Sequence, residues 1–269
     1  MPSPSPSVRS VLLIVVDGLR PDALSAAAAP TMRRIVREGS STLRSRTVMP
    51  SVTLPCHTSM FYGVSPERHG ITDNRWHPMA RPVPSLLDVV YRAGRKTAMF
   101  YNWGELRDLA APSSLDVAHL VAYERTEGDE SDQRTFALAT DWVRDTPDFG
   151  LAFAYYGMVD MTGHAHGWMS EPYLSRVADA DRAITRVVDA LPRDGSCLVV
   201  LTSDHGGHDK THGTDADEDM TVPLALWRPG GAARSHDLGV TSILDIAPTI
   251  AAALGVERPR EWEGRVLDF

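Results

Sequence analysis

Residues 203–215, SDHGGHDKTHGTD, contain three histidines and three aspartates within thirteen positions. Histidine is the commonest side-chain metal ligand, and carboxylates also bind divalent ions. The same composition, with its flexible glycines, is equally typical of a solvated polar loop. The segment alone therefore leaves a metal-binding loop and a polar surface loop both open, and the choice depends on matching ligands elsewhere in the chain.

Further candidates lie beside apolar segments. Asp17 directly follows VLLIVV, and Asp160 stands four residues before His164 in DMTGHAHG. That spacing aligns two side chains on one helical turn, although a tight glycine-containing loop could also bring them together. Thr53 lies in MPSVTLPCHTSM, where a proline-bounded loop leads into a helix. Each has a commoner interpretation alone: Asp17 as a turn residue that caps the next helix, Thr53 as a helix N-cap, and His164 as one of two alternatives with His166.

The chain alternates short apolar segments with amphipathic ones. Strands are expected over 10–18, 42–49, 96–102, 150–157, 196–204 and 222–227, and helices over 29–38, 54–62, 84–94, 131–145, 171–191 and 241–254. Apolar strands that alternate with helices predict an α/β fold, in which a mainly parallel central sheet carries helices on both faces. Ligands of such sheets bind outside the carboxyl ends of the strands. The acidic and imidazole groups are therefore expected to collect at one sheet edge.

The expected site contains three carboxylates, three imidazoles and one hydroxyl. They are Asp17, Asp160, Asp204, His164, His205, His212 and Thr53. This number of ligands is enough for two divalent ions, which in two-metal hydrolytic sites lie about 3.5–4 Å apart. Mixed carboxylate and imidazole ligands favour zinc, with manganese or iron as alternatives. His208 is expected outside the ligand set, as a supporting or solvent-facing residue.

The bulk composition excludes several classes of function. The chain has 269 residues, 43% of them apolar, and a net charge of −8 without a long basic run, so a nucleic-acid polymer is not an expected partner. Its two cysteines make no disulfide framework, and no apolar segment reaches membrane-spanning length. We expect a disordered leader at residues 1–9, a single domain at residues 10–269, no membrane contact and a cytoplasmic location.

Several motifs together resemble the alkaline phosphatase superfamily, and in particular its type I phosphodiesterase/nucleotide pyrophosphatase branch. They are VVDGLRPD, MPSVTLPCHTSMFYGVSPERHGI, DMTGHAHGWMSEPYLSRVADAD, TSDHGG and THGTD, with ILDIAPTIAAALGV and EWEGRVL near the end. The order and variety of these motifs extend the resemblance over nearly the whole chain. It implies an alkaline phosphatase-like fold and a metal-dependent hydrolase acting on small-molecule phosphate esters.

The resemblance also implies a role for each candidate residue. One metal ion would be held by Asp17, Thr53, Asp204 and His205, and the other by Asp160, His164 and His212. Thr53 would be the nucleophile and would form a covalent phosphothreonine intermediate. Asn74, in ITDNRW, would grip a phosphoryl oxygen, whereas taken alone it is a typical turn residue.

One departure from the resemblance limits the expected substrate. Nucleotide pyrophosphatases usually carry a long insertion between their Asp–His pair and the last histidine, but only six residues separate His205 from His212 here. The domain is therefore expected to lack a large cap insertion, which puts nucleotide specificity in question. A phosphodiesterase is the favoured interpretation. The alternatives are a phosphomonoesterase, a phosphonate hydrolase, and transfer of a phospho-alcohol to another acceptor. The arginine clamp of phosphomonoesterases is not identified in the sequence, although Arg75 stands next to Asn74.

Two more distant alternatives are weaker. A formylglycine sulfatase needs Cys or Ser followed by x-Pro-x-Arg, whereas Cys56 is followed by HTSM. A non-catalytic binding protein on the same fold would be expected to have lost a ligand or the nucleophile, and all seven positions are present. Aromatic residues near the motifs could stack on a substrate or simply pack in the core; they are Trp76, Trp103, Tyr156 and Trp168.

Overall fold

The computed structural model describes residues 8–111, 113–123 and 130–269. Its strands are β1 (Ser10–Val16), β2 (Ser40–Arg46), β3 (Thr97–Tyr101), β4 (Val117–Leu120), β5 (Leu151–Tyr156), β6 (Cys197–Thr202), β7 (Thr221–Trp227), β8 (His236–Asp237) and β9 (Thr241–Ser242). They form one sheet in the order β4-β3-β5-β1-β6-β7-β2-β8, with β9 paired to β2. Among these described strands only β7 runs antiparallel to its neighbours. The mainly parallel sheet is therefore confirmed.

Helices cover both faces of this sheet, as predicted. They are α1 (Ala23–Ala26), α2 (Pro30–Glu38), α3 (Thr53–Tyr62), α4 (Pro66–His69), α5 (Leu86–Arg92), α6 (Glu130–Asp145), α7 (Met158–His166), α8 (Glu171–Asp189), α9 (Asp217–Met220) and α10 (Ile246–Leu254). Helices α3, α5 and α10 contribute to one core layer, and α2, α6 and α8 contribute to the other. None of the helices in the described residues combines the length and apolar character that crossing a membrane requires.

Strand β1 shows how one apolar segment serves both layers. Successive side chains of a strand point to opposite faces of the sheet. Val11, Leu13 and Val15 accordingly join the first core layer, and Leu12, Ile14 and Val16 join the second. Because both faces are covered, the segment is apolar without interruption instead of alternating with polar residues.

The largest differences from the predicted elements lie at the sheet margins. Strand β4 was not predicted because it is four residues long and mostly exposed, so it lacks an apolar signal. The segment 241–254, predicted as one helix, begins instead with β9 and a 3-10 helix, Ile243–Asp245. Ser242 and Asp245 form a capping box around that turn, which interrupts the helix before Ile246.

The amino-terminal boundary also differs from the prediction. Residues 1–7 of the predicted leader lie outside the described residues. Val8 and Arg9, which the prediction assigned to the leader, are packed: Val8 is 3% exposed and donates its backbone N–H to Ala253, and Arg9 donates to Ser196. The packed part of the chain therefore includes Val8, because this apolar side chain joins the core layer that α10 covers.

Candidate metal centre

Consecutive elements bring the predicted ligands to the carboxyl-terminal edge of the sheet. Asp17 directly follows β1, and Asp204 follows β6, the neighbour of β1. Asp160 lies in the first turn of α7, the helix that follows β5 on the other side of β1. Parallel strands end at the same edge, so the three carboxylates meet there although they are up to 187 residues apart in the chain.

The ligand atoms form two overlapping clusters. Asp17, Asp204 and His205 make one group, and Asp160, His205 and His212 make the other, with the candidate ligand atoms of each group within 4.8 Å of one another. His205 Nε2 lies 3.3 Å from Asp17 Oδ1 and 3.4 Å from Asp204 Oδ2. The His205 and His212 rings stack with their centroids 3.7 Å apart. His205 therefore lies between the two clusters, whereas the sequence analysis assigned it to one ion only.

The tautomers of the three histidines follow from their hydrogen bonds. In each ring Nδ1 lies within 3.0 Å of a backbone carbonyl oxygen, which can only accept: that of Gly206 for His205, of Lys210 for His164 and of Ser51 for His212. Nδ1 therefore carries a proton, and in the neutral form of each ring Nε2 presents a lone pair. Histidines that bind metals typically donate their other ring nitrogen in this way.

Each of the three carboxylates in the cluster has one oxygen without a hydrogen-bond donor. Three buried oxygens have no hydrogen-bond partner: Asp17 Oδ1, Asp160 Oδ1 and Asp204 Oδ2. Burial is the main cause that raises the pKa of all three groups, and it raises that of Asp204 to about 7. Lone pairs that converge in a buried space are unfavourable unless a proton or a cation lies between them. The donor set therefore fits the two divalent ions that the sequence predicts.

Thr53 lies beside this cluster at the start of α3. It is the first residue of the helix, and Val52 occupies the N-cap position, so the N-cap alternative for Thr53 is wrong. Its side chain is thus free to face the cluster, and Thr53 Oγ1 lies 3.2 Å from His205 Nε2. The backbone N–H groups in the first turn of a helix lack intrahelical partners and attract anions.

Asn74 is held against the same helix start. Its Oδ1 accepts a hydrogen bond from the backbone N–H of Leu54 at 3.0 Å, which assigns the oxygen and leaves Nδ2 as the group directed elsewhere. Asn74 lines the cavity over the cluster together with Thr53, Asp160 and His212. The cavity that Thr53 lines therefore also has an amide donor in its wall.

The remaining histidines separate into ligand candidates and supports. His164 Nε2 lies 3.5 Å from Asp160 Oδ2, so α7 brings together the pair that is four residues apart. His164 is not part of the two tightest clusters, and its side chain is 41% exposed, which leaves it able to complete the second group. His208 instead donates to Asp219 at 2.7 Å, as expected for a supporting residue. His166 is exposed at the end of α7.

Two residues that the sequence analysis did not select also shape the site. Tyr155, at the end of β5, lines the cavity and donates a short hydrogen bond to Asp17 Oδ2. Asn102 directly follows β3 and lines the same cavity. Both residues lie at strand ends. The rule that places binding sites at the carboxyl ends of strands covers amide and phenol side chains as well as acidic and imidazole ones. Among the aromatic residues considered for substrate stacking, Trp103 lines the cavity. Tyr156 instead packs in the core layer to which α2, α6 and α8 contribute.

The Trp168 indole packs against the candidate metal centre. Its Nε1 donates to the Gly18 carbonyl oxygen at 2.9 Å, and its ring meets His164 edge to face. A Cβ atom at Gly207 would lie 2.2 Å from the ring, and one at Gly163 would lie 2.7 Å away. These two glycines therefore make room for the indole, and Trp168 is a packing residue rather than a substrate-stacking one.

The described lining of the cavity contains no lysine or arginine, and its imidazole groups are those of His164 and His212. Its polar wall consists of the ligands, Thr53 and the two asparagines, and its apolar wall includes Trp103, Met158 and Met161. Arg75, the alternative phosphate clamp, is exposed and does not line the cavity. Within the described lining, a bound phosphoryl group would therefore meet no guanidinium or ammonium group.

Two curated proteins with similar sequences are named as a phosphate transferase and a pyrophosphatase/phosphodiesterase. The human GPI ethanolamine phosphate transferase 1 is 27% identical over 262 residues, which cover 84% of this chain and 27% of that protein. The rat ectonucleotide pyrophosphatase/phosphodiesterase family member 1 is 26% identical over 215 residues, which cover 72% of this chain and 24% of that protein. The chain thus spans about a quarter of the length of these curated relatives.

Solved structures share the fold at lower sequence identity. Murine ectonucleotide pyrophosphatase/phosphodiesterase 5 superposes with a TM-score of 0.79 at 16% identity, covering 96% of this chain and all of that one. A 2-O GAG sulfatase superposes with a TM-score of 0.76 at 16% identity, covering 98% of this chain and 73% of that one. The model of the type I phosphodiesterase/nucleotide pyrophosphatase family matches residues 11–221. Because this match covers more than half of its residues, the chain belongs to this family, within the alkaline phosphatase superfamily.

Proposed function

We propose that the chain is a two-metal phosphodiesterase that works through a covalent phosphothreonine intermediate. The observation that carries the proposal is the position of Thr53 Oγ1. This hydroxyl lies 3.2 Å from His205 Nε2, beside a cluster in which one oxygen of each of three aspartates lacks a donor. Its substrate would be a small-molecule phosphate ester, because the site is a cavity rather than an extended basic surface.

The two ions would be held as the family resemblance implies. Asp17, Thr53, Asp204 and His205 would bind one, and Asp160, His164 and His212 would bind the other. When bound, such dications lower the pKa of a coordinated hydroxyl or water and neutralise charge on a phosphoryl group. Zinc is the proposed metal, because imidazole and carboxylate ligands are mixed in the set.

Thr53 carries the covalent chemistry. Its Oγ1 attacks phosphorus in line, which forms the Thr53–phosphorus bond and breaks the bond to one alcohol oxygen, and that alcohol leaves with a proton. Water then attacks the phosphothreonine, breaks the bond to Thr53 and releases a phosphomonoester, while the hydroxyl regains its proton. The amide Nδ2 of Asn74 and the backbone N–H of Thr53 donate to the non-bridging oxygens in both steps.

The charge of the cavity supports a diester over a monoester. A monoester dianion carries one more negative charge than a diester and is commonly matched by a cationic side chain. The described lining of the cavity contains no lysine or arginine. A singly charged diester is therefore the better electrostatic match, and phosphomonoester and phosphonate hydrolysis are the secondary activities.

A second candidate is transfer of the phospho-alcohol group to an acceptor other than water. The human relative named GPI ethanolamine phosphate transferase 1 matches 84% of the chain, and this match supports transfer as the second candidate function. The same phosphothreonine would serve both reactions, and only the group that attacks it would differ. Product analysis with an added alcohol acceptor separates the two, because transfer yields a new diester and hydrolysis yields a monoester.

The experiment compares aryl phosphate diester, phosphate monoester, phosphonate monoester and sulfate ester as substrates of the zinc-loaded protein. We expect the diester to have the highest kcat/KM. Thr53→Ala should lower kcat for the diester by about 10³-fold or more, while Thr53→Ser keeps measurable activity because it retains a hydroxyl. Thr72→Ala, at an exposed threonine outside the cluster, is the matched control.

Three outcomes would change the proposal. A monoester with the highest kcat/KM would replace the diesterase with a phosphomonoesterase. An unaffected Thr53→Ala variant would exclude the covalent intermediate, which mass spectrometry of acid-quenched protein should otherwise detect on Thr53. Absence of turnover together with absence of stoichiometric metal would favour the non-catalytic binding protein.

A further inference from the structure

Helix α7 begins without a cap of its own. Only Gly157 separates Met158, its first residue, from β5, and this glycine in the N-cap position has no side chain that could accept a hydrogen bond. A side chain there would crowd its neighbours, because a Cβ atom at Gly157 would lie 3.0 Å from both Asn102 Oδ1 and Tyr155 Cε1. The free backbone N–H groups at the start of α7 therefore need an acceptor from elsewhere in the chain.

Asp132 of α6 supplies this acceptor. Its carboxylate is fully buried, with Oδ1 accepting from the Gly157 N–H at 2.9 Å and Oδ2 from the Met158 N–H at 3.0 Å. Asn102, which follows β3, donates its Nδ2 to the same Oδ1 at 2.8 Å. Burial raises the pKa of Asp132 to about 7, although these hydrogen bonds oppose the increase. At pH 8 the ionised form, which accepts at both oxygens, therefore predominates.

The position of α7 matters for one ion of the proposed pair. Asp160 lies in the first turn of this helix, and His164 follows four residues later on the same face. Together with His212 they are the proposed ligands of what we call the second ion. The proposed ligands of the first ion all lie outside α7; they are Asp17, Thr53, Asp204 and His205. A shift of the start of α7 would therefore displace ligands of the second ion only.

We propose that Asp132 is a positioning residue for the second ion: its carboxylate fixes the start of α7 and so sets where Asp160 and His164 lie. The inference rests on the two-metal centre of the proposed function, and it assigns control of one ion to a residue outside the described lining of the cavity. Groups that hold metal ligands in place typically contribute about 10- to 100-fold in metal affinity.

Asp132→Asn tests the proposal because it keeps the shape of the side chain and replaces one acceptor with a donor. The amide nitrogen would face a backbone N–H, so the start of α7 would shift. We expect the zinc affinity of the second ion to fall about 10- to 100-fold at pH 8, and that of the first to change less than about twofold. Competition with a chromophoric chelator resolves the two binding steps, and Asp160→Asn, which removes a ligand, identifies the second.

Asp181→Asn is the matched control. Asp181 of α8 is 2% exposed and accepts from the backbone N–H groups of Thr31 and Met32 at the start of α2. Helix α2 has nine residues, like α7, but contains none of the proposed ligands. The two variants thus disturb the same kind of contact at a helix start, and Asp181→Asn should keep both zinc affinities. Thermal unfolding of the metal-free proteins checks that both variants fold.

A milder variant replaces Asp132→Asn if that protein does not fold. Asn102→Ala removes one of the three donors to Asp132 and leaves both contacts with α7. The zinc affinity of the second ion should then fall by about fivefold. Asn102 lines the cavity, but competition with a chelator measures zinc binding without a substrate. An unchanged affinity in this variant would overturn the inference.

The results distinguish the inference from the function on which it rests. In a wild-type protein that binds two zinc ions, an unchanged second step in Asp132→Asn would overturn the inference. So would an equal loss of affinity in both steps, or an equal loss in Asp181→Asn. Each of these results would leave the two-metal phosphodiesterase in place, whereas failure of the wild-type protein to bind two zinc ions would reject the two-metal centre itself.

Discussion

The Tyr155 hydroxyl determines which oxygen of Asp17 is available to a cation. It donates to Asp17 Oδ2, whereas Asp17 Oδ1, 3.3 Å from His205 Nε2, has no donor. The phenol is buried at the end of β5, next to β1, so its position is set by the sheet rather than by a flexible loop. A group that orients a ligand in this way tunes metal affinity without touching the metal.

Tyr155→Phe should therefore weaken metal binding while the fold is retained. We expect the affinity for zinc to fall about 10- to 100-fold, because Asp17 loses the hydrogen bond that orients it. Competition with a chromophoric chelator measures the affinity directly, without reference to catalysis. Tyr62→Phe is the matched control. Tyr62 is the last residue of α3, at the opposite end of this helix from Thr53, and its hydroxyl donates to the Asp108 carbonyl oxygen. Equal affinities of the two variants would contradict the orienting role.

At the scale of elements, contacts from α6 and from the end of β3 fix the start of α7. Asp132 of α6 accepts from the backbone N–H groups of Gly157 and Met158, which begin this helix, and Asn102 at the end of β3 donates to the same carboxylate. A carboxylate at a helix start satisfies free N–H groups and interacts favourably with the helix dipole. The position of Asp160 in α7 thus depends on contacts among α6, the end of β3 and α7 itself.

The loop between His205 and His212 is closed by an ion pair. Asp219, fully buried, accepts from His208 Nδ1 at 2.7 Å and from both the N–H and the hydroxyl of Thr214. The hydrogen bond to Asp219 raises the pKa of His208, and Asp209 and Glu218 act in the same direction. Burial opposes ionisation of Asp219, but the hydrogen bonds from His208 and Thr214 outweigh it and lower the pKa of this carboxyl.

These shifts predict a pH window for the stability of the loop. The His208 contribution is present below its unfolded pKa and is lost as the pH rises through the raised value, while the Asp219 contribution is lost as the pH falls through the lowered one. His208→Gln should therefore cost up to about 1 kcal/mol of unfolding free energy at about pH 5–6, and less at pH 8. Urea denaturation at both pH values measures this.

The control for that measurement is a histidine without this pairing role. His77→Gln, at an exposed position, should change the unfolding free energy little and equally at both pH values. A His208→Gln effect of constant size from pH 5 to pH 8 would show that packing, not charge, accounts for the contribution of His208.

At the scale of the whole molecule, the sheet concentrates negative charge at one edge. Without a cation, burial raises the pKa of Asp17, Asp160 and Asp204. A raised carboxyl pKa gives stability that is lost as the pH rises through the raised value, which is about 7 for Asp204. Bound dications reverse this dependence, because they require the ionised carboxylates.

Metal removal should therefore destabilise the protein more strongly at higher pH. We expect chelator treatment to lower Tm by about 10 °C at pH 8 and by clearly less at pH 5.5. Thermal unfolding of chelator-treated and zinc-reconstituted samples across that range measures the difference. Restoration of Tm by zinc is the internal control, and identical melting with and without chelator at pH 8 would refute the metal centre.

The meeting of the candidate ligands at one sheet edge was predictable because two simple rules agree. Asp17 and Asp204 follow uninterrupted apolar segments, and the carboxyl ends of parallel strands meet at one edge. The fold class followed from the same segments and is confirmed. Strand β4 and the short β8 and β9 gave no signal, because exposed or two-residue strands carry no periodic apolar pattern.

The sequence by itself determined the architecture and the chemical types of the ligands, since both are written in local patterns: apolar periodicity, and acidic or imidazole residues at strand ends. Only the tertiary structure decided the roles that depend on direction. It placed Nε2 of His205 3.2 Å from Thr53 Oγ1, directed the Tyr155 hydroxyl to Asp17, and directed the Asn102 amide nitrogen to Asp132. Hydrogen bonds between residues far apart in the chain set these orientations, and no spacing along the sequence encodes them.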